Sequence, residues 1–152
     1  MRTGKAPSPP STVRGSCTGA RRKRTDLRRT VGRRGEGLAA DHLRHLGFST
    51  LGQNERTRYG EIDLISFDGR TLVFTEVKTR RVNDRAIPPR PDQQPLSWLG
   101  HRQRARLRRL AVAWLSDEER VRPTAHTIRF DAIGVTIDSE GRLLRIDHVE
   151  GW

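Results

Sequence analysis

The chain has 152 residues, of which 33% are hydrophobic and 32% charged, and its formal net charge is +12. That length suits one domain, and no apolar run approaches the roughly 18 residues needed to span a bilayer. Cys17 is the single cysteine, which excludes an internal disulfide or a cysteine-built zinc site and fits a reducing, cytoplasmic setting.

Residues 1–31 are rich in Pro, Ser, Gly, Thr and Arg and poor in apolar side chains, so they are expected to form a disordered basic tail. Nine Lys or Arg face one acid there, Asp26, so +8 of the net +12 lies in this stretch and +4 in residues 32–152. The tail has no apolar core of a secretory signal. Both parts are drawn to polyanions, with nucleic acid the leading partner. Order is expected from Gly32. Arg33 to Leu46 has helical spacing, with Ala39, Leu43 and Leu46 on one face and Gly47 as a C-cap. Glu36 falls on that same stripe in the first turn, where the helix dipole favours an anion.

Phe48 to Arg56 reads as a strand. Two apolar runs then flank Asp68-Gly69 within GEIDLISFDGRTLVFTEVKTR, residues 60–80, which predicts a β-hairpin. Alternation puts Ile62, Leu64, Val73 and Val77 on one face, with Thr75 among them. Ile65, Phe67 and Phe74 take the other face near the turn; Glu61, Asp63, Glu76 and Lys78 take it near the open end. A four-residue loop from Asp68 to Thr71 sets Asp63 opposite Glu76, and a two-residue loop makes them diagonal neighbours. Adjacent carboxylates repel, and burying either unpartnered is unfavourable. A hard divalent cation, Mg²⁺ or Mn²⁺, relieves both problems. The competing reading is a solvated strand end in which Lys78 simply pairs with Glu76.

Residues 81–95 lose periodicity and carry four prolines with Arg81, Arg85 and Arg90, as expected of a basic loop. Leu96 to Ser116 has the spacing of a second helix, buried through Leu99, Leu107, Leu110 and Trp114. Gln103 lies on that stripe, and Arg102, Arg104, Arg106, Arg108 and Arg109 surround it. Thr127 to Ile137 and Leu143 to Val149 read as strands joined by a turn at Asp138–Gly141. Asp131 is read as a structural acid satisfied near Arg129. The five histidines show no metal-ligand spacing. The order α-β-β-β-α-β-β predicts an α/β fold (α+β, mixed sheet) with helices packed on it. Tyr59, just before the hairpin, is the aromatic best placed to stack on a base and is equally well read as packing.

GEIDLI, VFTEVKTR, the Arg-rich helix ending in AVAWL, and RFD, in that order, resemble the UPF0102 (YraN-like) family over nearly all of residues 32–152. That family resembles the restriction-endonuclease-like PD-(D/E)XK superfamily and is similar in layout to Holliday-junction resolvases. The resemblance implies an αβββαβ core with an additional C-terminal strand. It implies a metal-dependent endodeoxyribonuclease, with Asp63, Glu76 and the Val77 carbonyl on Mg²⁺ or Mn²⁺ and Lys78 beside them. Glu36 would match the first-helix acid and Gln103 the second-helix polar residue. Two positions depart from the pattern. Ile62 stands where the superfamily often has Pro, and Gln103 where relatives usually have Lys. Arg80, Arg81, Arg102 and Arg104 are the expected backbone contacts. Resolvases of this layout act as dimers, which makes a homodimer one option. A non-catalytic nucleic-acid-binding module on the same fold is the alternative function, and a scaffold with a decayed site is a third.

Overall fold

The computed structural model describes residues 18–82, 96–97 and 99–152. Seven elements follow in chain order: α1 (Thr18–His45), β1 (Ser49–Thr57), β2 (Gly60–Phe67), β3 (Thr71–Arg81), α2 (His101–Leu115), β4 (Thr127–Ile137) and β5 (Leu143–Val149). The five strands form one mixed sheet in the order β1-β2-β3-β4-β5. β1, β2 and β3 form an antiparallel meander, β4 runs parallel to β3, and β5 returns antiparallel to β4. A parallel pair needs a crossover, and α2 lies on it. The mixed α/β architecture and the αβββαβ order match the expectation, with β5 as the added strand.

Two differences concern the helices. α1 begins at Thr18, so the expected boundary between tail and domain at residues 31 and 32 falls inside a helix. The segment from Ala20 to Val31 has no proline and is dominated by Arg, Lys, Ala and Leu, which are good helix formers. Its charge suggested a tail because propensity was outweighed by the lack of apolar residues. α2 begins only at His101, with Gly100 as its N-cap, so Leu96 and Leu99 precede the helix and pack from the loop. Of the expected basic loop, residues 83–95 lie outside the described residues, as do residues 1–17.

The sheet is covered on both faces. Ala39, Ala40 and Leu43 of α1 pack with Leu64, Val73, Val77, Ile133, Val135 and Ile137. Leu107, Leu110, Ala111 and Trp114 of α2 pack with Ile65, Leu72, Phe74 and Ala132 on the reverse face. β3 is therefore buried from Leu72 to Val77, as its near-continuous apolar run requires. Ile62 departs from the expected alternation: it packs beneath α2, not beside Leu64. Opposite this point β1 is irregular. Gln53 pairs with Leu64 and Glu55 with Ile62, while Asn54 between them has a left-handed φ of 53°.

α1 closes with the geometry expected at Gly47, whose φ is +93°. Phe48 N–H returns to the Leu43 carbonyl at 3.0 Å, which satisfies the helix end and turns the chain into β1. Asp131 is fully buried and structural, as expected. It accepts two bonds from Arg129 Nε, one from Arg129 Nη2 and one from Gly151 N–H, and it bonds His148 Nε2 at 3.0 Å. Burial alone pushes its carboxyl up, but these donors outweigh it and hold the group below the usual carboxylate range. His148 in turn meets His42 of α1 at 3.2 Å, so a polar chain links β4, β5 and α1. Among the described residues no helix is long and apolar enough to cross a membrane.

α1 approaches β3 most closely at Gly35. A Cβ there would sit 1.7 Å from Thr79 Oγ1, whereas one at Gly37 would meet nothing within 4 Å. Gly35→Ala should therefore destabilise the fold by about 1–3 kcal/mol through overpacking. Gly37→Ala should stabilise it by up to about 1 kcal/mol through helix propensity. Urea denaturation of the two variants checks the pair. Equal and stabilising effects would contradict the close contact.

Candidate active site

The hairpin loop has four residues. Phe67 pairs with Leu72, and the ladder runs back to Leu64 opposite Thr75. One step further along this register is Asp63 opposite Glu76. No backbone rung forms there. Instead the Asp63 carboxylate accepts the Val77 N–H at 2.7 Å, so a side chain substitutes for the strand that has peeled away. The loop has the longer of the two lengths that the sequence allows, but the expected shared face is not kept: Asp63 opens toward α1, whereas the Glu76 carboxylate turns to Arg106 of α2.

Asp63 opens into a cavity of about 750 Å³ that is also lined by Glu36, Val77, Lys78, Thr79 and Arg81. A second cavity, of about 360 Å³, shares Asp63 and Glu36 and is lined by Arg29, Arg33, Asn54 and Arg56. Both acids thus stand where two clefts meet. Glu36 comes from the inward face of α1 and is held by Asn54 Nδ2 at 2.8 Å.

Glu76 is only 5% exposed, behind Lys78. Its carboxylate is bracketed by cations. Lys78 Nζ donates to one oxygen at 3.0 Å, and Arg106 Nη1 of α2 donates to the other at 3.0 Å. Arg106 also reaches the Glu61 carbonyl at 3.3 Å, tying α2 to the start of β2. The Lys78–Glu76 pair of the competing reading is therefore present, and Lys78 also lines the cavity that holds Asp63 and Glu36.

The two acids differ in how they are neutralised. Burial pushes the Asp63 carboxyl up to about 7, and repulsion from Glu76 adds to the shift, as does Glu36 more weakly. The Val77 N–H and the Lys78 ammonium oppose it without cancelling it. Near neutral pH, Asp63 is therefore divided between its protonated and charged forms, with too little positive charge nearby to favour the anion in the cleft. Perturbation of this kind, in a concave site with named charged partners, is characteristic of functional carboxylates.

The other expected residues divide. Arg81 is exposed on the rim of the larger cavity, and Arg80 is half-buried at the end of β3. Arg102 is exposed on α2. Arg104 is turned inward, with its guanidinium 5.8 Å from the centre of the Trp152 ring, so it packs instead of facing outward. Gln103 is half-buried in the first turn of α2 and, among the described residues, bonds neither Lys78 nor Glu76. Arg106, one turn on, is the α2 side chain that reaches the acid. Residues missed by sequence reasoning include Arg106, Asn54 and the α1 arginines Arg28, Arg29 and Arg33, which line the two cavities. Arg106 carried a signal, since it lies three residues from Gln103 and four from Leu110, beside the inward stripe. Asn54 carried none, because it acts through an irregular backbone.

The carboxylates that line the cavities together are those of Asp63 and Glu36, both hard oxygen donors. Such a set suits Mg²⁺ or Mn²⁺ over softer metals. Among the described residues no cluster of three or more acidic, His or Cys side chains is assembled for an ion. The Asp63 charge that Lys78 leaves uncompensated is the feature that a cation fits.

The fold and cleft define a three-layer α/β domain with an acid–lysine site at the open end of a central hairpin. Residues 35–135 match the model of UPF0102, described as an uncharacterised protein family. The chain belongs to UPF0102. It is 44% identical over 115 residues to a UPF0102 protein of Acidothermus cellulolyticus, covering 71% of this chain and 82% of that one. A UPF0102 protein of Pelotomaculum thermopropionicum is 37% identical over 125 residues, covering 82% and 96%. One from Mycolicibacterium gilvum is 39% identical over 130 residues, covering 84% and 97%.

The raised Asp63 pKa has a sign that can be checked. Between its ordinary value of 3.8 and about 7, the folded state holds a proton that the unfolded state has released. Stability contributed by this group therefore falls as pH rises through that window. Asp63→Asn keeps an acceptor for Val77 N–H and removes the charge. It should raise the melting temperature at pH 8 by several degrees, given about 2–4 °C per kcal/mol for a domain of this size. The gain should shrink as pH falls toward 4. Calorimetry across that range checks it; a lower melting temperature for the variant at pH 8 would contradict the assignment.

Proposed function

We propose that this protein is a metal-dependent endonuclease that hydrolyses phosphodiester bonds of DNA and prefers branched or otherwise irregular structures over particular sequences. The observation that carries this reading is the under-compensated Asp63 in an arginine-lined cleft that Lys78, the partner of Glu76, also lines. Asp63, Glu76 and the Val77 carbonyl would hold Mg²⁺ or Mn²⁺, which when bound supplies positive charge to a phosphoryl oxygen and acidifies a water. Lys78 has its ammonium 3.0 Å from Glu76 and lines the same cavity as Asp63. There it orients the attacking water and stabilises negative charge developing on the phosphate. Glu36, fixed by Asn54, adds anionic charge at the edge of the site.

Arg28, Arg29, Arg33, Arg56 and Arg81 ring the two cavities. Guanidinium groups there hold the DNA backbone in register without reading base identity. This supports selection by shape. Gln103 stays available to order solvent near α2, while Arg106 positions Glu76.

One observation favours a second reading, a DNA-binding module without catalysis. Both Glu76 oxygens already have cationic partners, Lys78 and Arg106, so the acid is satisfied as it stands.

Purified protein incubated with Mn²⁺ or Mg²⁺ and branched, flapped or single-stranded DNA distinguishes the two. The nuclease reading expects cleavage that EDTA abolishes. Glu76→Ala and Lys78→Ala should each lower the rate by about 100-fold or more, the scale expected for removing a group that stabilises transition-state charge. Tight binding with no cleavage under any metal would support the module. Cleavage unaffected by Glu76→Ala would remove this site from the chemistry.

A further inference from the structure

Tyr59 projects from the turn between β1 and β2. It is 47% exposed and belongs to neither hydrophobic cluster, so its ring is not core packing. Two guanidinium groups flank it: Arg58 lies 4.8 Å from the ring centroid and Arg109 lies 5.5 Å away. The turn beneath is fixed. Thr57 Oγ1 accepts the Tyr59 N–H at 3.1 Å and donates to the Gly60 carbonyl at 3.0 Å.

Its position links it to Glu76 through α2. Arg109 stands on α2 less than one turn beyond Arg106, about 5 Å along the axis. Arg106 bridges the Glu61 carbonyl and Glu76, so one guanidinium joins the strand that follows Tyr59 to the buried acid. Arg102, Arg106 and Arg109 recur at helical spacing on one side of α2. A basic stripe therefore runs along the helix past the site and ends at an exposed aromatic ring.

The chemistry of such a surface selects its ligand. Guanidinium groups draw phosphates whatever the strand structure. A tyrosine ring layered with guanidinium planes adds affinity only for a base that is itself free to stack, as in single strands, flaps and the arms of a fork. Bases inside an uninterrupted duplex are stacked on one another and offer no face.

We propose that Tyr59, with Arg58 and Arg109, is a stacking platform for an unpaired base of the DNA whose backbone enters the cleft. The inference rests on the nuclease reading and names its substrate class: DNA carrying unpaired nucleotides next to the scissile phosphate.

Fluorescence anisotropy of fluorescein-labelled single-stranded, forked and blunt duplex DNA tests this in EDTA, where hydrolysis cannot intervene. The full-length wild-type chain should bind the first two more tightly than the duplex. Tyr59→Ala should weaken them by about 5- to 100-fold, the scale of one lost base stack, and leave duplex binding within about twofold. Tyr59→Phe, which retains the ring, should match the wild type on all three. A silent Tyr59→Ala, or one that weakens all three alike, would overturn the platform. If metal-dependent cleavage persists in that case, only the platform falls. A wild-type chain that binds no DNA would overturn both the platform and the nuclease reading.

Discussion

The hydrogen bond from Val77 N–H to the Asp63 carboxylate is the hinge of this structure. It forms where the β2–β3 ladder stops, and a side chain takes the place of the next backbone rung. A strand end closed in this way leaves its acid largely buried, anchored on the strand that carries Glu76 and Lys78. The electrostatics follow from the cleft between the sheet and α1 into which Asp63 and Lys78 open. One acid is buried and doubly paired; the other faces inward with too little positive charge nearby.

The surrounding fold serves to keep that end rigid. β3 is buried along most of its length and held in parallel register by β4 from Thr71 to Arg81. α1 lies close enough to β3 at Gly35 that a single methyl group has no room. α2 contributes Arg106 from the other side. Its anchoring contacts, Leu107 and Leu110, are fully buried. Each such side chain contributes about 1.5–3 kcal/mol relative to an exposed one, so the guanidinium is carried on a firmly seated helix.

Much of this was legible in residue order. Alternation and the Asp68-Gly69 signal define the hairpin, and the parity of an even loop puts Asp63 near Glu76. Strands β4 and β5 fall where their patterns indicate, as does the Gly47 cap. What escaped has physical causes. Ile62 lies on the unexpected face, sharing the α2 side with Ile65, and alternation assumes regular strands. Arg106 was visible only as one arginine among several on a basic helix, and its pairing with Glu76 depends on how α2 crosses the sheet. The early residues of α1 carry so much charge that composition suggested a tail. Yet the helix brings Arg28, Arg29 and Arg33 to the cavities beside Asp63.

Membership of UPF0102 fixes the lineage of the chain and leaves its chemistry to be argued from the site. The central claim is that the charge left unbalanced at Asp63 is completed by a hard divalent ion. The most direct test is Mn²⁺ titration followed by electron paramagnetic resonance, which reads the free ion without reference to any substrate. The account predicts that the wild-type chain depletes the free-ion signal and that Asp63→Asn and Glu76→Gln, each folded, do not. A wild-type chain that leaves the signal untouched, or variants that deplete it equally, would contradict it.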